Sequence, residues 1–506
     1  MSEYILEMKN ITKRFESVIA NKDVNLSVKK GEVHAVLGEN GAGKSTLMNC
    51  LYGMYDNYEG EIYFGGELVK IQDSKQAIDF GIGMVHQHFM LIPVFTVIEN
   101  VVLGLKENKA ILDLNSTAKE FTELGKKYNM EIDPWAKVEQ LSVGQQQRVE
   151  ILKALYRKAK LLILDEPTAV LTPTEIESLF DMMRQLTEGG HTVIFISHKL
   201  NEIMKICDRC TVLRQGSVAA TVDIAEVQDR QQLATLMVGR EVKLETETKP
   251  ATLRGKMLDV ENLCVNNDRG ILAVKNISYE VYGGEILGVC GVDGNGQSEM
   301  VQCIAGLRAA ESGKVIIGGV DATGLNAGEI LALNVSHIPE DRHKYGMVGA
   351  MTLDENLILV SYKNENYSRR GFLNWKWIAG HSDSIIKHFN VKTPGIKELA
   401  KNLSGGNQQK LVVGRELDRT PDLLVAMHPS RGLDIGATKY IQQQIVQQRD
   451  RGAAVLMIST ELDELIELSD RILVIFGGEV MGIVDRKDAT KEVLGLLMAG
   501  VVSALC

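Results

Sequence analysis

The chain has 506 residues, of which 45% are hydrophobic and 24% are charged, and its formal net charge is -10. This length predicts two or more domains, and the composition is that of an ordinary soluble globular protein. The negative charge argues against DNA or RNA as the main ligand, because such binding depends on clustered Lys and Arg side chains that neutralise phosphates.

Targeting and membrane-spanning signals are lacking in the sequence. No stretch approaches the roughly eighteen apolar residues that a membrane-spanning helix requires. The first ten residues contain Glu3 and Glu7 and lack the basic-then-apolar plan of a signal peptide. Seven irregularly spaced cysteines favour a reducing compartment, and the lone pair Cys207 and Cys210 is more typical of packing than of a metal site. We expect a protein inside the cell that reaches a membrane only through a partner.

The first predicted functional element is a glycine-rich loop between an apolar strand and a helix. Its sequence, GENGAGKS, matches the phosphate-binding pattern G-x-x-x-x-G-K-[ST]. Glycines let backbone N–H groups curl round phosphates, and the helix directs its positive N-terminal end towards them. We expect Lys44 to reach the β and γ phosphates of ATP and Ser45 to ligate Mg²⁺. The predicted nucleotide-binding residues here are Gly38, Glu39, Asn40, Gly41, Ala42, Gly43, Lys44, Ser45 and Thr46.

An acidic pair ends the apolar run LLIL further along the chain. A strand end beside a phosphate loop is where a Mg²⁺-holding carboxylate belongs, so Asp165 is the predicted partner of Ser45 at the metal. Glu166 is the natural candidate to orient the attacking water. Taken alone, the pair is equally well explained by helix capping before Pro167. The phosphate loop upstream favours the catalytic interpretation.

The chain contains two copies of one domain. The blocks 31–49, 141–155 and 195–213 reappear as 284–302, 403–417 and 457–475. Gly38 pairs with Gly291 at a shift of 253 positions, whereas Ser142 pairs with Ser404 at a shift of 262. The second copy therefore carries nine extra residues, which we expect in the polar stretch 361–375.

The predicted fold class is α/β. In each copy a strand, a glycine-rich loop and a helix precede further helices and short apolar runs, such as 161–167 and 192–198, that suit buried parallel strands. We expect two tandem P-loop NTPase nucleotide-binding domains, each with an α/β core and a helical subdomain, at 1–240 and 257–506. The charged, proline-containing segment 241–256 is the predicted linker.

The set of blocks resembles the nucleotide-binding subunit of ATP-binding cassette (ABC) transporters, over nearly the whole chain and twice in the family's order. The resemblance implies that Gln87 senses Mg²⁺ and the attacking water and is a third Mg²⁺ ligand. It also implies that Glu166 is the catalytic base and that His198 is the γ-phosphate switch. Phe15 lies 29 residues before Lys44, which suits the aromatic that stacks on adenine, although a Phe there equally fits the edge of a core.

The second copy departs from the family at its catalytic positions. Gln297 replaces Lys44, Met427 and His428 replace Asp165 and Glu166, Thr460 replaces His198, Glu340 replaces Gln87, and Asp268 replaces Phe15. Its signature nevertheless stays close to the family pattern LSGGQ, which binds the γ-phosphate of ATP held by the opposite domain. The residues expected to do so are Ser404, Gly405, Gly406 and Asn407.

The first copy shows the reverse pattern, because Val143 stands in its signature where glycine allows close approach of the backbone. Domains of this family pair head to tail. We therefore expect the intact catalytic loops of the first copy to meet the intact signature of the second in one hydrolytic site. The remaining site would combine the two damaged halves.

The two-copy layout resembles the ATPases of sugar and nucleoside importers, and blocks 81–104 and 337–348 are closest to the nucleoside branch with a lipoprotein receptor. A ribose- or galactose-type importer is the alternative. The resemblance implies transmembrane permease partners, an indirect extracytoplasmic solute-binding protein or lipoprotein, no nucleic acid, and a peripheral location on the cytoplasmic face of the membrane. A soluble ABC ATPase acting on ribosomes or DNA, or a non-hydrolysing regulatory module, fits the motifs less well.

A further hypothesis concerns the apolar residues that follow Gln87. Phe89, Met90, Leu91, Ile92 and Phe95 are candidates to line a groove for a permease helix. The simpler alternative is that most of them belong to the core of the helical subdomain.

Overall fold

The computed structural model describes residues 3–501, apart from 17, 87–88, 106–112, 169–170, 242–245, 247, 293 and the side chain of Thr174. The chain divides into two compact units, Met1–Val242 and Lys243–Cys506.

The described part of the first unit contains ten strands and eight α-helices. The strands are β1 (Tyr4–Phe15), β2 (Val18–Lys29), β3 (Val33–Gly38), β4 (Glu59–Phe64), β5 (Glu67–Val69), β6 (Ile82–Val85), β7 (Leu161–Asp165), β8 (Thr192–Ser197), β9 (Arg209–Arg214) and β10 (Ser217–Asp223). The helices are α1 (Lys44–Leu51), α2 (Ser74–Phe80), α3 (Val97–Val102), α4 (Leu114–Lys127), α5 (Val143–Tyr156), α6 (Pro173–Glu188), α7 (Leu200–Ile206) and α8 (Arg230–Val238).

The described part of the second unit contains twelve strands and eight α-helices. The strands are β11 (Lys256–Asn266), β12 (Leu272–Tyr282), β13 (Ile286–Cys290), β14 (Ser312–Ile317), β15 (Val320–Asp321), β16 (Val335–Ile338), β17 (Ser368–Arg369), β18 (Phe372–Leu373), β19 (Leu423–Met427), β20 (Ala454–Ile458), β21 (Arg471–Phe476) and β22 (Glu479–Asp485). The helices are α9 (Gln297–Ile304), α10 (Ala327–Ala332), α11 (Leu353–Ile358), α12 (Trp375–His388), α13 (Gly405–Asp418), α14 (Ile435–Arg451), α15 (Leu462–Leu468) and α16 (Lys491–Met498). None of the helices described in either unit combines the length and apolar character needed to cross a bilayer.

Both units repeat one sheet topology. The main sheet of the first unit has the order β10-β9-β3-β8-β7-β6, and that of the second has the equivalent order β22-β21-β13-β20-β19-β16. Within each, all neighbours are parallel except the final hairpin pair. Every residue of β3, β7 and β8 is buried, as expected for parallel strands covered on both faces. The predicted α/β class with a helical subdomain, formed by α3–α5 and α11–α13, is confirmed.

The nine extra residues of the second unit are spread over several places, so their expected position in 361–375 is only partly right. Asn100 and Asn356 make equivalent contacts at a shift of 256, three more than between Gly38 and Gly291. The helix caps Asp113 and Asn374 differ by 261. Three extra residues therefore precede α11, where a π-helical turn spans Arg342–Gly346, and five lie between Asn356 and the cap of α12. The ninth lies between that cap and Ser404, which pairs with Ser142 at a shift of 262. The matching sequence blocks lie too far apart along the chain to show where between them the extra residues are inserted.

Part of the predicted linker is bonded to the second unit. The Thr246 backbone N–H donates to the carboxylate of Glu467, and Arg486 Nη1 donates to Thr248 Oγ1 over 2.6 Å. Strand β11 begins at Lys256, the last residue of the segment expected to be a linker. A threonine backbone N–H and a threonine hydroxyl thus hold this part of the stretch against the second unit.

A buried asparagine ties the segment before α3 to that helix. Asn100 Oδ1 accepts a hydrogen bond from the Ile92 N–H over 2.7 Å, and its Nδ2 donates to the Ile92 carbonyl over 3.2 Å and to the Thr96 carbonyl over 3.0 Å. Asn356 makes the same kind of contacts before α11. The side chain replaces backbone partners that an irregular segment lacks.

Replacing Asn100 with Leu should lower the free energy of unfolding of the first unit by about 1–3 kcal/mol, because the Ile92 N–H and C=O lose their partners inside the protein. Asn356→Leu should do the same in the second unit. Urea unfolding would measure both, with exposed Asn115→Leu as the control. A loss no larger than that of the control would contradict this role.

Candidate nucleotide site

The glycine-rich loop leaves the end of the buried strand β3 and enters α1. Gly41 and Gly43 have φ angles of 83° and 98°, which favour glycine. A Cβ at Gly43 would lie 2.4 Å from the Ala20 carbonyl oxygen, whereas nothing lies within 4 Å of one at Gly41. The loop is therefore closed against the sheet on one side and open on the other. This cradle, followed by a helix N-terminus, suits the phosphates of a nucleotide.

Lys44 is held inside this loop. Its Nζ donates to the carbonyls of Gly38 over 2.7 Å and Glu39 over 3.1 Å. Burial lowers the pKa of the Lys44 ammonium, while the nearby Glu166 and Asp165 carboxylates oppose that shift. The side chain thus presents a poorly solvated positive charge at the loop, which strengthens its attraction for phosphate oxygens.

The structure brings Ser45 and Asp165 together. Asp165 is the buried last residue of β7, and burial, followed by the charge of Glu166, raises the pKa of its carboxyl group. A hydrogen bond between Asp165 and Ser45 opposes that shift. A hydroxyl and a carboxylate are oxygen donors of the kind that Mg²⁺ prefers, so these two residues fit a metal bound beside the phosphates.

Glu166 and His198 face each other although they are 32 positions apart. His198 Nδ1 lies 3.0 Å from Glu166 Oε1. This hydrogen bond lowers the pKa of the Glu166 carboxyl group, against the opposing effect of burial. Glu166 also has a φ of 47°, and its N–H donates to the Ile196 carbonyl over 3.0 Å. The result is an ionised, oriented carboxylate that can accept a proton from water.

The predicted adenine contact, Phe15, ends β1 with its side chain partly exposed. Its ring meets Tyr55 edge to face at a centroid distance of 5.2 Å. The buried Lys13 ammonium lies 4.9 Å from the centroid of each ring and donates to the Asn57 carbonyl over 3.0 Å. The Phe15 ring is therefore supported by an aromatic ring and an ammonium group, two contacts that the sequence pattern did not predict. Gln87, the predicted third metal ligand, lies outside the described residues.

The second unit keeps the shape of this site without its charges. Gln297 Nε2 donates to the Val292 carbonyl over 3.2 Å, much as Lys44 bonds its own loop. His428 has a φ of 47°, the same angle as Glu166. Ser298 Oγ donates to the Glu340 carboxylate over 2.9 Å, and Arg431 lies 3.6 Å from the same carboxylate. The described loop residues thus offer neither the lysine nor the acidic pair of the first unit.

The two signature segments differ at their helix starts. In the first unit Ser142 caps α5 by accepting from the Gln145 N–H, and Gln145 accepts in return from the Ser142 N–H, while Val143 stands beside them with an exposed side chain. In the second unit Ser404 makes no side-chain cap on α13, and Asn407 Nδ2 donates to Ser404 Oγ over 2.9 Å. The second signature therefore leaves the first N–H groups of its helix without the side-chain cap seen in the first.

Sequence reasoning missed a glutamine that connects each signature helix to the neighbouring strand end. Gln147 Nε2 donates to the Pro167 carbonyl over 2.9 Å, and Gln409 makes the equivalent bond to Pro429 over 3.0 Å. Both side chains are buried. The repeated glutamines of LSVGQQQ and LSGGNQQ were the available signal. This bond ties the signature helix to the residues that follow the acidic pair.

Known proteins are similar in sequence to this chain over almost its entire length. The family model described as ABC transporter matches residues 21–169 and 274–429. The chain is 48% identical to the nucleoside import ATP-binding protein NupA of Lactococcus lactis over 99% of each chain. It is 48% identical to the guanosine import ATP-binding protein NupO of Bacillus subtilis over 98% of each chain. It is 43% identical to the glucose import ATP-binding protein TsgD13 of Haloferax volcanii, over 98% of this chain and 96% of that protein.

Replacing His198 with Ala should move the acid limb of the pH–rate profile for ATP hydrolysis to higher pH. The hydrogen bond from His198 lowers the pKa of Glu166, so its loss raises that pKa and the carboxylate becomes protonated at a higher pH. Steady-state ATPase assays across the acidic range would measure the shift. His381→Ala in the second unit is the control, and an unmoved limb in His198→Ala would show that this bond does not tune Glu166.

Proposed function

The chain belongs to the ABC transporter family and is an ATPase of that family, and we propose that it drives the import of a nucleoside. The proposal is supported by the similarity to NupA, a nucleoside import ATP-binding protein, and NupO, a guanosine import ATP-binding protein, each 48% identical to this chain over nearly its full length. A monosaccharide importer is the second candidate, because a glucose import protein is 43% identical over a similar span. The observation that carries the ATPase role is the Lys44, Asp165 and Glu166 constellation at one edge of the first sheet.

In the proposed reaction, a water attacks the γ-phosphorus of ATP and the bond to the β–γ bridging oxygen breaks, giving ADP and phosphate. Glu166 orients the water and accepts its proton, and His198 holds the Glu166 carboxylate in its ionised form. Lys44 compensates the negative charge on the β and γ phosphates. Mg²⁺, when bound, neutralises further phosphate charge, and Ser45 and Asp165, with Gln87 as the third expected ligand, are the residues that would hold it.

We further propose that only one of the two family sites hydrolyses ATP. The first unit supplies the loop with Lys44, and the second supplies the uncapped signature residues Ser404, Gly405, Gly406 and Asn407 in a head-to-tail pair. The two units have lost different parts, which supports this proposal. The loop of the second unit has Gln297 in place of the lysine cation. In the signature of the first unit, Val143 replaces a glycine and the capping box of Ser142 occupies the N–H groups at the start of the helix. A free helix N-terminus is the feature that binds a γ-phosphate.

Membrane permease subunits are the partners of an importer of this kind. We propose that the segment 89–95 contacts them, that the chain lies peripherally on the cytoplasmic face, and that a solute-binding protein or lipoprotein acts indirectly. None of Phe89, Met90, Leu91, Ile92 and Phe95 is buried, so the alternative that most of them form core is not supported. Met90 is 64% exposed, and its N–H donates to Glu150 over 3.0 Å, which anchors the segment to α5.

Replacing Glu166 with Gln should reduce ATP hydrolysis by about 10²–10⁴-fold, because the amide cannot accept the proton of the attacking water. The variant should still bind ATP, and equilibrium binding of a fluorescent ATP analogue would measure this. The matched variant is Gln297→Lys, which restores a lysine to the second loop and should not add a second working site, since Met427 and His428 still lack carboxylates. Near-normal turnover in Glu166→Gln would show that another group is the base.

Replacing Met90 with Glu should abolish uptake of radiolabelled nucleoside and weaken co-purification with the permease, because a charge would be buried without a partner at the contact. ATP hydrolysis by the isolated subunit should remain. Leu68→Glu, at an exposed position on β5, is the control. Uptake of glucose, galactose and ribose by the unchanged protein would separate the two candidate solute classes. Unimpaired assembly and uptake in Met90→Glu would remove this segment from the contact.

A further inference from the structure

A small hairpin in the helical part of the second unit presents apolar side chains to solvent. We call residues 368–376 the aromatic hairpin. Strand β17 pairs with β18, and the turn residues Arg370 and Gly371 have φ angles of 51° and 83°, as in the tight turns that favour β-hairpins. Phe372 is 81% exposed and Trp375 is 43% exposed. Leu373, between them in sequence, is also exposed. Exposed apolar side chains that lie next to one another in this way are typical of an interaction surface.

The base of the aromatic hairpin is packed, so its outward side chains are held in place. Tyr367 is buried with Ile358 and Ile378 in a small hydrophobic cluster of its own. Trp377 stacks on His381 at a centroid distance of 4.7 Å and an interplanar angle of 23°, and His381 Nε2 lies 2.8 Å from Asp418 at the end of α13. The exposed tip is therefore a feature of a rigid element.

Trp375 is fixed by a separate contact. The Lys397 ammonium lies 4.8 Å from the centre of the Trp375 ring and 2.6 Å from Asp354, a fully buried carboxylate at the start of α11. The ring is thus attached to the first turn of a neighbouring helix while its outer face remains exposed. Such pre-ordering reduces the entropy cost of binding a partner surface.

The surroundings of the hairpin are basic in an acidic protein. Residues 361–376 carry four basic side chains and one acidic side chain, Glu365, for a net charge of +3, whereas the whole chain has a net charge of -10. The basic residues, all exposed, are Lys363, Arg369, Arg370 and Lys376. Arg369 and Arg370 directly precede the glycine of the tip. This charge selects an anionic partner.

We propose that the aromatic hairpin binds the anionic phospholipid surface of the membrane. Aromatic rings prefer the headgroup region of a bilayer, and Lys and Arg beside them attract anionic lipids. A protruding tip needs no complementary pocket in a lipid surface, whereas a protein partner would have to supply one. Phe372 and Trp375 would enter the interfacial region, and Arg369 and Arg370 would contact headgroup phosphates.

This inference goes beyond the proposed function and depends on it only for the location of the chain beside a membrane. A short apolar tip with a few charges gives weak, reversible binding. Its effect would be to raise the effective concentration of the subunit at the bilayer, so that assembly with the permease becomes more favourable without any new protein contact.

The test is flotation of the full chain with vesicles of phosphatidylcholine alone and of phosphatidylcholine mixed equally with phosphatidylglycerol. The unchanged protein should bind the mixed vesicles and release them at high salt. The double variant Arg369→Glu, Arg370→Glu should lose about tenfold or more of this binding, because each basic residue near an anionic surface contributes about fivefold. Phe372→Ser should also weaken vesicle binding, and the factor by which it does so should depend less on salt concentration, because the lost contribution is apolar.

The controls are Lys126→Glu with Lys127→Glu on α4, which reverses two exposed charges elsewhere, and Ile271→Ser, which removes an exposed apolar side chain elsewhere. Both should bind as the unchanged protein does. All variants should retain ATP hydrolysis, which also shows that they fold. In Trp135→Phe, quenching of the remaining tryptophans, Trp375 and Trp377, by brominated lipid should report the depth of the hairpin.

Three results would overturn the proposal: no binding of the unchanged protein to mixed vesicles, equal binding to both compositions, or full binding by the hairpin variants. Loss of permease co-purification with unchanged vesicle binding would assign the hairpin to a protein contact instead. Failure of the ATPase role would appear separately, as normal turnover in Glu166→Gln, and would leave vesicle binding unaffected.

Discussion

The alignment of three parallel strands underlies the rest of the first unit. Strands β3, β8 and β7 are consecutive neighbours in one sheet, so their carboxyl ends meet at one edge. The phosphate loop leaves β3, the acidic pair ends β7, and His198 follows β8. Hydrogen bonding between the strands fixes these ends relative to one another, and the side chains that follow them bring hydroxyl, carboxylate, imidazole and ammonium groups close together.

The second unit separates what the scaffold contributes from what the charges contribute. It retains the strand order, the positive φ at His428 and the position of the residue that starts the loop helix. The ammonium and both carboxylates are replaced. Backbone geometry therefore persists without the groups that would make it catalytic, because hydrophobic burial of the sheet stabilises that geometry independently of the loop charges. The same backbone can thus be kept while the charged side chains needed for hydrolysis are replaced.

The signature segments carry the opposite asymmetry by a related mechanism. Reciprocal bonds between Ser142 and Gln145 satisfy the start of α5 internally, whereas Asn407 engages the hydroxyl of Ser404 and leaves the start of α13 without such a cap. Gln147 and Gln409 nevertheless hold the two helices to their sheets in the same way. The difference between the signatures is thus local. It concerns which side chains bond at the start of each helix, and it does not concern how the helices pack.

Local sequence was enough to predict the α/β repeat, the phosphate loop and the acidic pair, because glycine placement, strand-length apolar runs and their order depend on neighbouring residues. It did not identify the contact of Glu166 with His198 as a bond that lowers a pKa, the base of Lys13 and Tyr55 under Phe15, or the division of the nine extra residues. Nor did it distinguish the exposed Met90 and Phe372 from core residues of the same type. These features were decided by the tertiary structure, since they depend on which distant segments pack together and which side chains that packing leaves in water.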